Sequence, residues 1–127
     1  KRGVDVRIVT PGTPDKPTIF RLTRSNYPPL LRAGIRIYEY TPGFIHAKSY
    51  ISDDEFGVVG SVNMDFRSLY LHFECATLLY RTSGLKELKK DSLDTIEVSR
   101  EITLKDCKQG IIGGLFDSVL RVFAPLC

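Results

Sequence analysis

His46-Ala47-Lys48-Ser49-Tyr50-Ile51-Ser52-Asp53, followed after six further residues by Gly60-Ser61-Val62-Asn63, decides the reading of this chain. The pattern is H-x-K-x-x-x-x-D-x-x-x-x-x-x-G-S-x-N. A single histidine on a strand is ordinarily a surface or core residue, and a single lysine a solvated charge. Together at these offsets they fit one chemistry, transfer of a phosphodiester. An imidazole can attack phosphorus and hold it covalently. A lysine and an asparagine can hold non-bridging oxygens and offset the charge that grows on them.

The spacing suits that chemistry. Tyr50 and Ile51 are strand formers, so a strand is expected over Ala47 to Ser52. Residues two apart on a strand share a face, which turns His46 and Lys48 the same way. Phe56 to Val59 predicts a second strand, and the polar Asp53-Asp54-Glu55 a hairpin turn between the two. The hairpin returns Gly60-Ser61-Val62-Asn63 beside His46 and Lys48, with Ser61 and Asn63 on one face. Gly60 permits close backbone approach. Asp53 reads either as a catalytic member of the set or as a turn or salt-bridge residue. Phe73 to Tyr80 is apolar on both faces apart from Glu74 and Thr77, which predicts a central strand. A carboxylate there needs a partner, and Glu74 accepting from one ring nitrogen of His46 would fix the tautomer and free the other nitrogen. His72 lies outside the pattern and reads as a rim residue.

These residues resemble the signature of the phospholipase D superfamily. The flanks Ile37-Tyr-Glu-Tyr-Thr-Pro-Gly-Phe-Ile-His-Ala-Lys48, Gly60-Ser-Val-Asn-Met-Asp-Phe-Arg-Ser68, Gly3-Val-Asp-Val-Arg-Ile8 and Ser99-Arg-Glu-Ile-Thr103 are similar to the second catalytic half of bacterial cardiolipin synthases. The resemblance covers essentially the whole chain. It implies an α/β fold, a phospholipase D-like mixed sheet flanked by helices, with residues 1–127 one such domain. It implies catalytic roles for His46, Lys48, Asp53 and Glu74, phosphate contacts from Lys48, Ser61 and Asn63, and no metal or cofactor. Asp65, Arg67 and Ser68 fit the stretch after the motif. His72 departs from the pattern, where an asparagine is expected. The implied reaction joins two phosphatidylglycerol molecules into cardiolipin and glycerol through a phosphohistidine. It needs two histidines, hence a partner: the first catalytic half of a longer parent chain, or a second copy as a homodimer. The parent is expected at the bacterial cell membrane and this stretch, which opens without Met, to be a soluble fragment of it.

Bulk properties are compatible with that reading. The chain has 127 residues, 43% hydrophobic and 26% charged, enough for one ordinary domain with a core. Its net charge of +3 is mild. It fits attraction to anionic lipid or to nucleic acid and demands neither. A nuclease of this type would carry a stronger basic groove with aromatic or arginine stacking positions, so no nucleic acid is expected. The three cysteines, Cys75, Cys107 and Cys127, show no metal-binding spacing, and their odd number argues against a disulfide framework. Cys75 is expected to be buried in the central strand. No run of about 18 apolar residues predicts a membrane span.

Along the chain, strands are expected over Asp5 to Thr10 and Ile35 to Tyr40. Between them, a helix is expected from Pro17 to Ser25 and another from Pro29 to Ala33, closed by Gly34. A helical turn is expected over Met64 to Leu69 and a helix from Thr82 or Ser83 to about Val98. Residues 100–127 read as a helical tail, with a short piece from Thr103 to Gln109 capped by Thr103 and Asp106. Ile111, Ile112, Leu115, Phe116, Val119, Leu120 and Phe123 recur at helical spacing. That face is expected to pack on protein rather than on a bilayer, since its polar side carries little positive charge.

Overall fold

A computed structural model describes residues 3–13 and 16–107. The chain divides into two compact units, one built from the residues up to Ile45 with those from Val98 onward, the other from His46–Glu97.

In the first unit, strand β1 (Arg7–Pro11) leads through helices α1 (Pro17–Ser25) and α2 (Tyr27–Arg32) to strand β2 (Arg36–Tyr40). β1 and β2 run parallel with Arg7 opposite Arg36, the arrangement a helical crossover produces. Pro28 and Pro29 do not interrupt α2. They sit in its first turn, where a missing N–H leaves no helical bond unmade, so the helix begins at Tyr27 rather than Pro29. Gly34 follows with φ of 88°. Tyr27, Ile37 and Ile102 form the fully buried centre, with Leu30, Leu31, Ile35 and Cys107 against it. The Tyr27 hydroxyl meets Thr10 Oγ1 at 2.8 Å, and burial pushes its phenol pKa up. Glu39 is buried as well, with Arg24 Nε 3.1 Å from its Oε1.

Residues 100–102 correct the expected helical tail. They belong to strand β6 (Ser99–Ile102), which pairs antiparallel with β2 and sets Ile102 opposite Ile37. Ile102 is buried in the core while Arg100 and Glu101 stay exposed, and four residues are too short to announce a strand. After it comes a turn, not a helix. Asp106 accepts from the Thr103 N–H at 2.9 Å and from its hydroxyl at 2.6 Å. These bonds, with Arg100 alongside, hold the Asp106 pKa at about 2. The expected amphipathic segment over 111–126 lies outside the described residues.

The second unit is a hairpin extended by one strand. β3 (Ser49–Ser52), β4 (Phe56–Gly60) and β5 (Ala76–Tyr80) are antiparallel in that order, with helix α3 (Phe66–Tyr70) before β5 and helix α4 (Ser83–Glu97) after it. Asp53 and Asp54 make the turn with φ of 52° and 59°, the left-handed region that aspartate tolerates better than most residues. α4 covers one face, laying Leu85 and Leu88 over Gly57, where a methyl group would stand 2.7 Å from Leu85 Cδ1. On the other face Phe56 and Tyr80 stack with centroids 4.9 Å apart.

Two expectations change here. Among the described residues β5 pairs only with β4 and is an edge strand, not a central one, and Leu78 is exposed. It begins at Ala76, so Cys75 precedes it and is exposed rather than buried.

Replacing Ile102 with Ala distinguishes a core strand from a solvated helical tail. Deleting a fully buried isoleucine side chain is expected to lower unfolding free energy by about 2–5 kcal/mol, measured by urea denaturation. A loss under about 0.5 kcal/mol, typical of a surface position, would contradict the placement of β6.

Candidate active site

The hairpin closes on Gly60. Its N–H donates to the Lys48 carbonyl at 3.1 Å, continuing the β3–β4 ladder past the end of β3. On its other side a β-carbon at position 60 would lie 2.3 Å from the Cys75 oxygen and 2.6 Å from Ala76 Cα. Those are backbone atoms that cannot swing away, so only glycine fits. The next residue uses this proximity. Ser61 N–H donates to the Cys75 carbonyl at 2.9 Å, and the Cys75 N–H donates to Ser61 Oγ at 3.0 Å. Three segments, His46-Ala47-Lys48, Gly60-Ser61 and Glu74-Cys75, are thereby brought side by side.

Glu74 is the charged centre of the group. Its carboxylate accepts from the Ser61 hydroxyl, and the Ser68 hydroxyl bonds it too. The Ser61 bond is the main reason its pKa is lowered, with Ser68 next and the charges of His72 and Lys48 adding to it. Among the described residues Ser68 is one of the few buried polar ones. α3 holds it there: Asp65 caps the helix, accepting from Ser68 N–H at 2.7 Å. The sequence reading gave Ser68 no catalytic part. The signal was available as an aspartate three residues before a serine at a helix start.

Lys48 Nζ donates to the His46 carbonyl at 2.8 Å, which sets the ammonium beside the histidine's own backbone. Tyr50 Oη donates to the Val62 carbonyl at 2.8 Å, fastening the segment that leads to Asn63. His46 and Asn63 are exposed and Lys48 half-buried.

Three expectations are corrected. His46 precedes β3, which starts at Ser49, so strand alternation is not what relates it to Lys48. Glu74 lies before β5, which starts at Ala76, rather than within a strand, and it takes hydrogen bonds from Ser61 and Ser68. Asp53 is not brought to the group. It sits at the far end of β3, about 16 Å of extended chain from Lys48, and accepts from Ser52 Oγ at 3.2 Å in the hairpin turn. His72 lies with Arg67, whose guanidinium nitrogens approach its Nε2 at 3.1 and 3.3 Å.

Comparison with known proteins adds the family. Residues 1–93 match the model described as "Cardiolipin synthase, PLD-like domain", a span that holds the whole motif and Glu74. The chain belongs to the cardiolipin synthase family of phospholipase D-like domains. An uncharacterized Streptococcus mutans protein is 49% identical over 127 residues, covering 99% of this chain and 28% of that protein. Cardiolipin synthase 2 of Bacillus anthracis is 41% identical over 98% of this chain and 24% of its own length, and the cardiolipin synthase of Alkalihalophilus pseudofirmus 42% over 98% and 25%. The chain thus spans about a quarter of the length of these relatives. No solved structure matches it. The mixed α/β content, two small sheets with helices, agrees with a phospholipase D-like family member. Among the described residues no helix is long and apolar enough to cross a membrane.

Exchanging Ser61 for Ala removes the largest cause of the Glu74 shift. The Glu74 carboxyl, followed by carbon-13 NMR against pH, is expected to titrate closer to an ordinary carboxylate. Because the folded pKa is depressed, this group stabilises above its unfolded pKa and loses that contribution as pH falls through the folded value. The variant should therefore lose less stability on acidification through that window. An unmoved titration would show that Ser61 does not hold Glu74 ionised.

Proposed function

We propose that this chain is the second catalytic half of a cardiolipin synthase, and that His46 takes part directly in moving a phosphatidyl group. In the first step one histidine nitrogen attacks the phosphorus of phosphatidylglycerol, and the bond from phosphorus to the glycerol oxygen breaks. The other histidine protonates that oxygen, and glycerol leaves. In the second step a hydroxyl of another phosphatidylglycerol attacks the phosphohistidine, giving its proton to the second histidine. The phosphorus–nitrogen bond breaks and cardiolipin is released. One phosphodiester is made for each one cleaved, so no nucleotide is consumed.

Lys48 and Asn63 are assigned to the non-bridging oxygens, where a positioned donor matters most as charge develops. Ser61 is assigned to the floor of the site, with Glu74 ionised behind it. Asp53 is given a turn role. The second histidine is assigned to the other half of a longer parent protein acting at the bacterial membrane.

The observation that carries this reading is the family match across the complete motif, together with Lys48, Ser61 and Glu74 within electrostatic reach of one another. The test is made in the full parent protein with phosphatidylglycerol carrying phosphorus-32. His46→Ala is expected to cut cardiolipin formation by about 10³-fold or more, as loss of a central catalytic group does, and Lys48→Ala by about 10²–10³-fold. Quenched wild-type enzyme should carry label on one of the two motif histidines. Appreciable synthesis by the His46 variant would refute its role, and no labelled histidine would refute the covalent step.

A further inference from the structure

Arg67 differs from other arginines of the chain in what it is bonded to. Arg7, Arg24, Arg36, Arg81 and Arg100 each face a carboxylate. Among the described residues Arg67 has no carboxylate partner. Its Nε and Nη2 instead approach Nε2 of His72 at 3.3 and 3.1 Å. A guanidinium only donates, so that ring nitrogen accepts, and His72 is the neutral tautomer with its proton on Nδ1. A neutral partner fixes the guanidinium without cancelling its charge, which an ion pair cannot do.

The backbone sets the pair in place beside the candidate site. At the end of α3 the Leu71 and His72 N–H groups both donate to the Arg67 carbonyl, at 2.9 and 2.8 Å. Both side chains are exposed, so a ligand can reach them. The residue after Arg67, Ser68, bonds Glu74, and the charges of His72 and Lys48 both bear on that same carboxylate. Lys48 and His72 are thus neighbours of one acid, and Arg67 is the next group beyond His72.

The reaction proposed above calls for such a group. In its second step the attacking lipid brings a phosphodiester of its own, one glycerol bridge away from its hydroxyl. That anion enters a site already holding a negatively charged phosphohistidine, and the two repel unless the newcomer meets a cation. A fixed guanidinium meets a phosphate with paired N–H donors, and holding that phosphate orients the hydroxyl for attack. We propose that Arg67, held in place by His72, binds the phosphate of the acceptor phospholipid. The inference rests on the two-step reading above and gives Arg67 its part in the second step. Lys48 and Asn63 keep the reacting phosphate, and His72 is a positioning residue.

Glycerol is an acceptor without a phosphate, so it separates the two roles. The full parent protein, given phosphatidylglycerol vesicles and labelled glycerol, should put label into phosphatidylglycerol by running the first step backwards while it also makes cardiolipin. Arg67→Gln is expected to lower the ratio of cardiolipin formation to glycerol exchange at least about 10-fold, as loss of a hydrogen bond to a charged group does. Arg67→Lys, which keeps the charge and loses the fork, should give an intermediate ratio. His72→Leu should lower the same ratio, and His72→Asn, whose amide oxygen still accepts from the guanidinium, should restore most of it. All four substitutions are at exposed positions and should keep the circular dichroism of the wild type. An unchanged ratio in Arg67→Gln would overturn the proposal. So would an equal fall in both rates in a folded variant, which would assign Arg67 to the donor lipid. Equal losses in His72→Leu and His72→Asn would overturn the positioning role. Wild type that exchanges no glycerol would refute the two-step reading and this inference with it, a failure visible before any variant is made.

Discussion

The second unit depends on one close approach of two backbones. Gly60 has no side chain, so the end of β4 can lie against Cys75 and Ala76 at a distance no other residue allows. The Ser61–Glu74 bond follows from that contact. The contact lets Ser61 exchange hydrogen bonds with Cys75, and that exchange sets the Ser61 hydroxyl against Glu74. Two hydroxyls then hold the carboxylate ionised, with Lys48 near enough to add to the effect. The Lys48 ammonium itself is held by the His46 carbonyl at 2.8 Å.

Much of this was legible from residue spacing. The hairpin turn at Asp53–Glu55, the return of Gly60-Ser61 beside Lys48 and the helix from Ser83 were all readable, because alternation, turn chemistry and helical period each signal locally. The need for glycine at position 60 was legible as close approach, though what it approaches was not. What failed was long-range. β6 is four residues long and pairs with β2, some sixty positions earlier, and no local pattern shows such a pairing. Position 74 read as part of a strand because apolar residues run on from Phe73, yet the ladder begins only at Ala76.

The misreading of β5 is instructive in another way. A strand apolar on both faces ordinarily signals cover on both. Here α4 supplies one cover, and the opposite face and the outer edge remain open among the described residues.

Amide hydrogen exchange at Gly60 and Ser61 tests the close approach most directly. These two N–H groups donate in opposite directions, to Lys48 on one side and to Cys75 on the other. The account predicts that both are protected, exchanging together and only when the second unit opens. Free exchange at Ser61 with Gly60 still protected would show an intact hairpin without the third segment, and would contradict the site described here.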